Sequence, residues 1–411
     1  MNRNAHVIAG LDIGTTKICM IIAEKRDNGS LDIIGIGNSP SRGLRKGAVV
    51  DLDATVESIQ RAAEEAELMS GLSVDGAFVG IGGGHVRGFN SRGVVAVSGR
   101  DHEVSREDVY RVLNASRSVS IPKDREIFHS LPLEYIVDDQ DGIDQPLGMA
   151  GTRLEANVFL VTGSVSSVQN LINAVNRAGI EVEGVVLEAL AAGQTVLTAD
   201  ERELGVGLVD MGGGTTDLTI FEKGSIRHTY SLPSAGDHFT NDIAVGLRTP
   251  KSEAERIKQR FGCTVPALVP EDETIEVPSV GGRKPRVLSR HLLCEIVKPR
   301  AEEILTYLRE EIQKSGFEKA LTAGIVLTGG ASLLDGVPEI AEDLFDRPVR
   351  RGTPNGVGGL VDVVQSPIYA TGVGLVLYGA SARPAPKRFA WPQRSIGRVG
   401  ERIRGWFQDF L

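Results

Sequence analysis

"VDMGGGTTD", residues 209–217, carries an apolar run to an aspartate and then turns on three glycines and two threonines. "LDIGTTK", residues 11–17, follows the same plan, with Asp12 in the place of Asp210, so the chain is read as a duplication with a repeat of nearly half its length. In each copy the apolar run before the turn predicts a buried strand, and the run after it predicts the antiparallel partner. Glycine at a hairpin tip lets backbone N–H groups approach an anion with no Cβ in the way, and threonine hydroxyls add donors. Two such tips facing each other would grip the β- and γ-phosphates of a nucleotide. An aspartate ending each first strand would hold the waters of a hydrated Mg2+, which makes Asp12 and Asp210 the candidate metal residues. Lys17 adds positive charge at the phosphates. A good hairpin turn explains one copy; two copies with an aspartate in the same place favour a shared ligand. No G-x-x-x-x-G-K-[ST] occurs and no G-x-G-x-x-G follows a strand, which excludes the P-loop and Rossmann arrangements.

Working outward, a third strand is expected at 31–39, a helix at 51–69 with Val56, Ile59, Ala63 and Ala66 on one face, and a strand at "GAFVGIGGG". Strands alternate with helices, as α/β layers require. Two stretches look inserted. Residues 84–162 hold turn-rich strands and a helix opened by Ser105 with Asp108 three residues on. Residues 240–305 hold two helical stretches flanking a Pro-containing strand region. "ASARPAPKRFAWPQ", 380–393, reads as a proline-broken linker.

The length of 411 residues suggests two to four units with real cores. No secretory leader is recognisable at the start, and no stretch reaches the roughly 20 apolar residues that a spanning helix needs, so a cytosolic protein is expected. Cys19, Cys263 and Cys294 have no metal-ligand spacing and read as reduced structural thiols. Net charge is -9, divided between an acidic body and a basic stretch from Arg383 onward. No large basic face is left to neutralise phosphates of a nucleic acid, so nucleic acid is not an expected partner.

These motifs resemble the actin, sugar-kinase and heat-shock-chaperone ATPase superfamily. The two hairpins look like its phosphate motifs, "IVLTGGASLLDGV" (325–337) like its adenosine motif, and "VVLEALAAG" (185–193) and "YATGVGLVLYG" (369–379) like its connecting helices. The resemblance implies an α/β fold with two lobes around an ATP cleft. It makes Gly14, Thr15, Thr16 and Lys17 one phosphate clamp and Gly212, Gly213, Gly214, Thr215 and Thr216 the other. Gly329 and Gly330 would approach the ribose and adenine, joined by Gly236, Glu255 and Lys258; the last two, at i and i+3, are equally an ordinary surface ion pair. Glu188 stands where the superfamily orients the attacking water, although a lone Glu at a helix start also complements the dipole.

Within the superfamily, a sugar kinase needs an acceptor pocket for which no motif is evident, and a chaperone needs a long substrate domain. The late insertion at 84–162, the linker, and "AGDHFTNDIAVGL" (235–247) resemble the FtsA family of bacterial cell-division proteins. That resemblance implies lobe 1 at 1–83, 163–200 and 356–380, a partner-recruiting α+β insert at 84–162, and a lobe 2 core at 201–239 and 306–355. It further implies an outer subdomain at 240–305, a linker at 381–393, and a membrane helix at 394–411. It implies head-to-tail self-association, recruitment of later division proteins, and binding of the FtsZ C-terminal peptide, with Lys298 and Arg300 as partners for an acidic peptide or simply part of a solvated helix face. A small-molecule kinase and the actin-like scaffold of type IV pilus assembly remain the rivals.

"SIGRVGERIRGWFQDFL", 395–411, fits the membrane expectation on its own residues. At about 100° per residue, Ile396, Val399, Ile403, Trp406, Phe407 and Phe410 share one arc, flanked by Arg402 and Arg404. An apolar stripe edged with arginines suits in-plane binding to anionic lipid on the inner face of the cytoplasmic membrane, not spanning.

Overall fold

The computed structural model describes residues 7–99 and 101–381. Strand Val7–Ile13 pairs antiparallel with Lys17–Lys25, placing Asp12 opposite Cys19, and Leu31–Pro40 adds a third antiparallel strand. Six consecutive residues of the middle strand, Ile18 to Ala23, are buried, so both of its faces are covered. Gly76–Ile81 and Glu181–Leu187 extend the sheet in parallel on the far side of Val7–Ile13. The second half repeats this order. Val206–Met211, Thr216–Glu222 and Ser225–Leu232 form the antiparallel meander, and Ile325–Thr328 and Val349–Arg351 the parallel pair. Asp12 and Asp210 therefore occupy the same place in two equivalent sheets. The first sheet has one extra edge strand, Gly358–Gly359, beside Leu31–Pro40.

Local chemistry explains the helices that cover these sheets. Helix Leu52–Ser70 starts where the Asp51 side chain accepts the Ala54 N–H at 3.1 Å and ends at Gly71 in the left-handed region. Its predicted face is buried against Leu31–Pro40. A Cβ on Gly37 would stand 1.9 Å from the Ala62 carbonyl oxygen, so only glycine allows this approach.

Between Gly76–Ile81 and helix Val165–Arg177 stands a separate four-stranded antiparallel sheet, ordered Arg87–Ala96, Arg153–Ser164, Arg125–Val137, Gln140–Ile143. Helix Arg106–Arg117 packs on it and opens with a complete capping box between Ser105 and Asp108. Burial opposes ionisation of the Asp108 carboxyl, but hydrogen bonds from Ser105, Arg111 and Ser98 outweigh it and hold the group well below the usual carboxylate range.

The outer part of the second half differs from expectation. Three helices, not two, surround the hairpin Thr274–Val277/Arg286–Ser289: Gly236–Leu247, Lys251–Phe261 and Arg290–Ser315. Arg248, at φ 50°, and Pro250 divide the first two. The expected limits at 240 and 305 fall inside the first and last helices; Pro299 lies within Arg290–Ser315 without ending it. Cys263 and Cys294, distant in sequence, meet in a small buried cluster with Val269, and both are free thiols.

Two helices join the halves. Glu188–Val196 and Ala370–Ser381 cross so closely that a Cβ on Gly374 would stand 1.9 Å from the Ala191 carbonyl oxygen. Backbone cannot rotate out of the way as a side chain would. Gly374→Val is therefore expected to cost about 3 kcal/mol or more, read as a drop in Tm with loss of a single cooperative transition. An unchanged melting curve would mean that the two helices can part at this crossing without cost.

Candidate functional site

Both hairpin tips end in one cavity of about 610 Å³ between the two sheets. The tips are built alike: the Gly14 N–H donates to the Lys17 carbonyl at 3.0 Å, and the Gly212 N–H to the Thr215 carbonyl at 3.0 Å. They meet face to face. A Cβ on Gly213 would lie 1.7 Å from Thr16 Oγ1, and one on Gly214 2.6 Å from Thr15 Oγ1. Thr16 and Thr15 thus close against glycines that must lack side chains. Thr216 does not line this cavity. It is fully buried behind the wall, with its hydroxyl donating to the Ser234 carbonyl at 2.8 Å, because strand alternation turns it away from the tip.

Asp12 and Asp210 face the cavity from the ends of the two first strands, and Glu188 faces it from the first turn of its helix. Asp217, which the sequence reading did not single out, completes the set: the tight turn places it directly opposite Asp210 across the hairpin. Burial raises the Asp12 carboxyl, against the pull of Lys17. Burial, then Asp217 and Asp12, push Asp210 up to about 7 despite a hydrogen bond from Thr371. Glu188 is raised well above its ordinary value by burial and by the charges of Asp12, Asp217 and Asp210. Burial raises Asp217 too, with Thr215 donating to it at 2.8 Å. The site is a pocket of acids short of positive charge.

Glycine makes the close packing around these acids possible. A Cβ on Gly82 would stand 2.1 Å from Glu188 Oε2, and one on Gly329, at φ 80°, 2.2 Å from Asp210 Oδ1. Gly330 follows in the cavity lining. Lys17 Nζ donates to the Ile368 carbonyl at 2.7 Å and lies 4.4 Å from the centre of the Tyr369 ring, so the first tip is tied to the segment that opens helix Ala370–Ser381. That helix adds Thr371 to the lining, as the other joining helix adds Glu188.

On the opposite wall Lys258 Nζ donates to Glu255 at 2.7 Å, to Thr240 Oγ1 at 2.9 Å and to the Gly236 carbonyl at 3.1 Å. Burial would raise Glu255, but Lys258, Thr240 and Gln259 together hold it below the ordinary value. The pair is part of the cavity wall, not a loose surface pair. Gly236 donates to the Gly212 carbonyl at 3.0 Å and fastens helix Gly236–Leu247 to the second tip. Gln259 and Arg260, from the end of helix Lys251–Phe261, and Leu333 and Leu334, from within the 325–337 motif, also line this end; no residue pattern marked these four individually.

Lys298 and Arg300 lie elsewhere, on helix Arg290–Ser315. Arg300 donates to Asp242 at 2.7 Å and pairs with Glu303; Lys298 is 44% exposed and 3.7 Å from Glu302. Ile396, Val399, Arg402, Ile403, Trp406, Phe407 and Phe410 lie outside the described residues. Among the described residues no helix is long and apolar enough to cross a membrane.

Comparison with known proteins agrees with this architecture. Solved structures share it at low identity: the PilM–PilN type IV pilus biogenesis complex (TM-score 0.66, 17% identity, 91% of this chain and 98% of that one) and MreB5 of Spiroplasma citri bound to ADP (0.55, 16%, 91% and 96%). Both have the actin-like fold. The family model "SHS2 domain inserted in FTSA" matches residues 83–162, and the model "Cell division protein FtsA" matches 207–374. The cell division protein FtsA of Pseudomonas aeruginosa is 52% identical over 377 residues, covering 92% of this chain and 90% of that protein. That of Escherichia coli K12 is 40% identical over 414 residues, covering 98% and 97%. Matched from end to end at this identity, and carrying the family's inserted domain inside an actin-like body, the chain belongs to the FtsA family of cell-division proteins.

Proposed function

We propose that the cleft binds ATP with Mg2+ and that the chain is an actin-like adaptor on the inner face of the bacterial cytoplasmic membrane at midcell. There it joins with itself head to tail, holds the FtsZ polymer through its C-terminal peptide, and helps recruit later division proteins through the insert at 84–162. The observation that carries the nucleotide part is the meeting of two Gly-Thr tips across a cavity into which Asp12, Glu188, Asp210 and Asp217 face. Backbone N–H groups and threonine hydroxyls at the tips are the donors offered to the β- and γ-phosphates. Gly329 and Gly330 leave room for the nucleoside, with Glu255 and Lys258 opposite.

The acids fit a hydrated cation. Among the described residues no three His, Cys, Asp or Glu converge closely enough to ligate one ion directly. Mg2+ keeps most of its waters, so Asp12 and Asp210 would hold it through them. When bound, it would neutralise charge on the phosphates. Glu188, made more basic by its surroundings, would accept a hydrogen bond from the attacking water and orient it. Glu188→Gln is accordingly expected to bind ATP as wild type does and to hydrolyse it at least about 100-fold more slowly. Equal turnover in the two proteins would remove Glu188 from the reaction.

For the adaptor part, Lys298 and Arg300 on helix Arg290–Ser315 are the cations offered to an acidic peptide. Arg300 is already engaged by Asp242 and Glu303 and would have to be shared, whereas Lys298 is freer to turn toward a peptide. The test is flotation on anionic vesicles with Mg·ATP and FtsZ. FtsZ should rise with the wild-type chain and stay behind with K298E/R300E, which itself still floats. FtsZ left behind by the wild-type chain would refute the adaptor reading.

A further inference from the structure

Helix Glu188–Val196 cannot satisfy its own start. Leu187, which precedes it, offers no side-chain cap, and the third helical residue is Leu190, so no capping box can accept the Leu187 N–H. The acceptor comes from the inserted sheet: His129 Nε2 takes that N–H at 3.0 Å. His129 is 4% exposed, sits in strand Arg125–Val137 opposite Val161, and lies beside the Phe128 ring at 5.2 Å between centroids. Around the bond, Leu131, Phe159 and Val161 of the inserted sheet share one buried cluster with Leu187, Ala189 and Ala192.

The same strand reaches the other side of Glu188. Arg125 donates to the His85 carbonyl at 2.9 Å and to Thr162, which ties down the loop after Gly82. Gly82 is the residue against which the Glu188 carboxylate rests. The carboxylate is therefore bracketed, from behind through Leu187 and from in front through Gly82, and both brackets are fastened to residues of one inserted strand.

We propose that His129 is a positioning residue for Glu188: through its bond to Leu187, the inserted sheet sets where that carboxylate stands over the nucleotide. The proposal rests on the reading of Glu188 as the group that orients water. It gives the inserted domain a second task, since a partner that shifts strand Arg125–Val137 would alter ATP turnover without touching the cleft. Burial holds the imidazole down at about 4, so near neutral pH it is uncharged and its Nε2 is free to accept, with the proton on Nδ1.

The test is single-turnover hydrolysis of Mg·ATP by the full chain. H129F keeps the bulk without an acceptor, H129N is polar but too short to reach Leu187, and H129Q returns an oxygen to the Nε2 position. H129F and H129N are expected to slow hydrolysis about tenfold with ATP affinity within about twofold of wild type, and H129Q to restore it. In an E188Q background H129F should slow nothing further. Amide exchange over 187–191 gives a second reading: the protection that ATP adds there should be lost in H129F and H129N and kept in H129Q. Should H129F not fold, H129N decides. Wild-type rate and exchange in H129N, or an affinity that falls in step with rate, would overturn the proposal. If E188Q itself turns over normally, it is the role of Glu188 that fails, and the inference falls with it.

Discussion

Asp210→Asn is expected to raise the melting temperature of the ligand-free protein by about 1–2 °C and to abolish the further rise that Mg·ATP gives the wild type. Asp210 is pushed up to about 7 by burial and by the charges of Asp217 and Asp12, whereas in the unfolded chain an aspartate titrates near 4. The folded state thus holds the proton more tightly than the unfolded state does. Below pH about 4 both states are protonated and there is no penalty. Between 4 and 7 the folded state loses stability as pH rises, and above 7 the full cost of the buried charge is present. The shift alone would correspond to about 4 kcal/mol, but the carboxylate lines a cavity that water can enter, and about 1–2 kcal/mol is the realistic cost. Asparagine keeps the shape and removes the charge, hence the gain in Tm.

On the proposed reading the same substitution also removes a carboxylate that would hold the cation's waters. Ligand at 100 times its Kd stabilises a protein by about 2.7 kcal/mol, and a 100-fold loss of affinity erases most of that. Asp12→Asn should act in the same sense, since its carboxyl is raised for the same first reason. A second sign distinguishes charge from shape. In the wild type the stabilisation by Mg·ATP should grow from pH 6 to pH 8, because at pH 6 Asp210 must first release a proton; in Asp210→Asn that growth should vanish. A variant with lowered Tm and an undiminished response to Mg·ATP would show that Asp210 is structural and that the cleft has been misread. On this reading the site costs stability to the ligand-free fold because it serves binding, as strained or charged functional sites commonly do.

Much of this could be read from residues alone because the deciding interactions are local. Apolar β-branched runs around Gly-Thr turns predict the hairpins, and two aspartates in equivalent places predict two equivalent sheets. Asp51 and Gly71 bound the helix between them. What could not be read depends on register or on distant partners. Thr216 looks like a clamp residue until alternation along Thr216–Glu222 turns it inward, and the same register brings Asp217 into the cavity opposite Asp210. Gly82 has no local reason to be glycine, and only the fold shows Glu188 resting on it. His129 reads as an ordinary residue in a strand, yet it completes a helix start 58 residues further on. Arg248 in the left-handed region carries no sequence mark, so the helices on either side of it read as one stretch.

Stopping the chain after Pro392 is expected to remove vesicle binding altogether while leaving Tm and ATP affinity unchanged. On a helix, Ile396, Val399, Ile403, Trp406, Phe407 and Phe410 would share one apolar stripe, whereas the described helices of the body pack apolar faces on sheets and on one another. Transfer of one such side chain from water is worth roughly 1.5–3 kcal/mol, so Trp406→Glu, which loses the indole and adds a charge facing lipid tails, should weaken binding by about 100-fold or more. Arg402 and Arg404 would flank that stripe, and each arginine near an anionic leaflet contributes about 1 kcal/mol. Replacing anionic lipid by zwitterionic lipid should then cost about 30-fold, and high salt should do the same by screening. Glycines 397, 400 and 405 disfavour a helix in water, so circular dichroism of the isolated segment should show helix only when vesicles are added. A tail docked on its own body gives the opposite pattern: truncation would lower Tm, and the shortened chain would float as well as the full one. With flotation lost and Tm unmoved, lipid is what the stripe is for, and the cleft and the anchor can be altered one at a time.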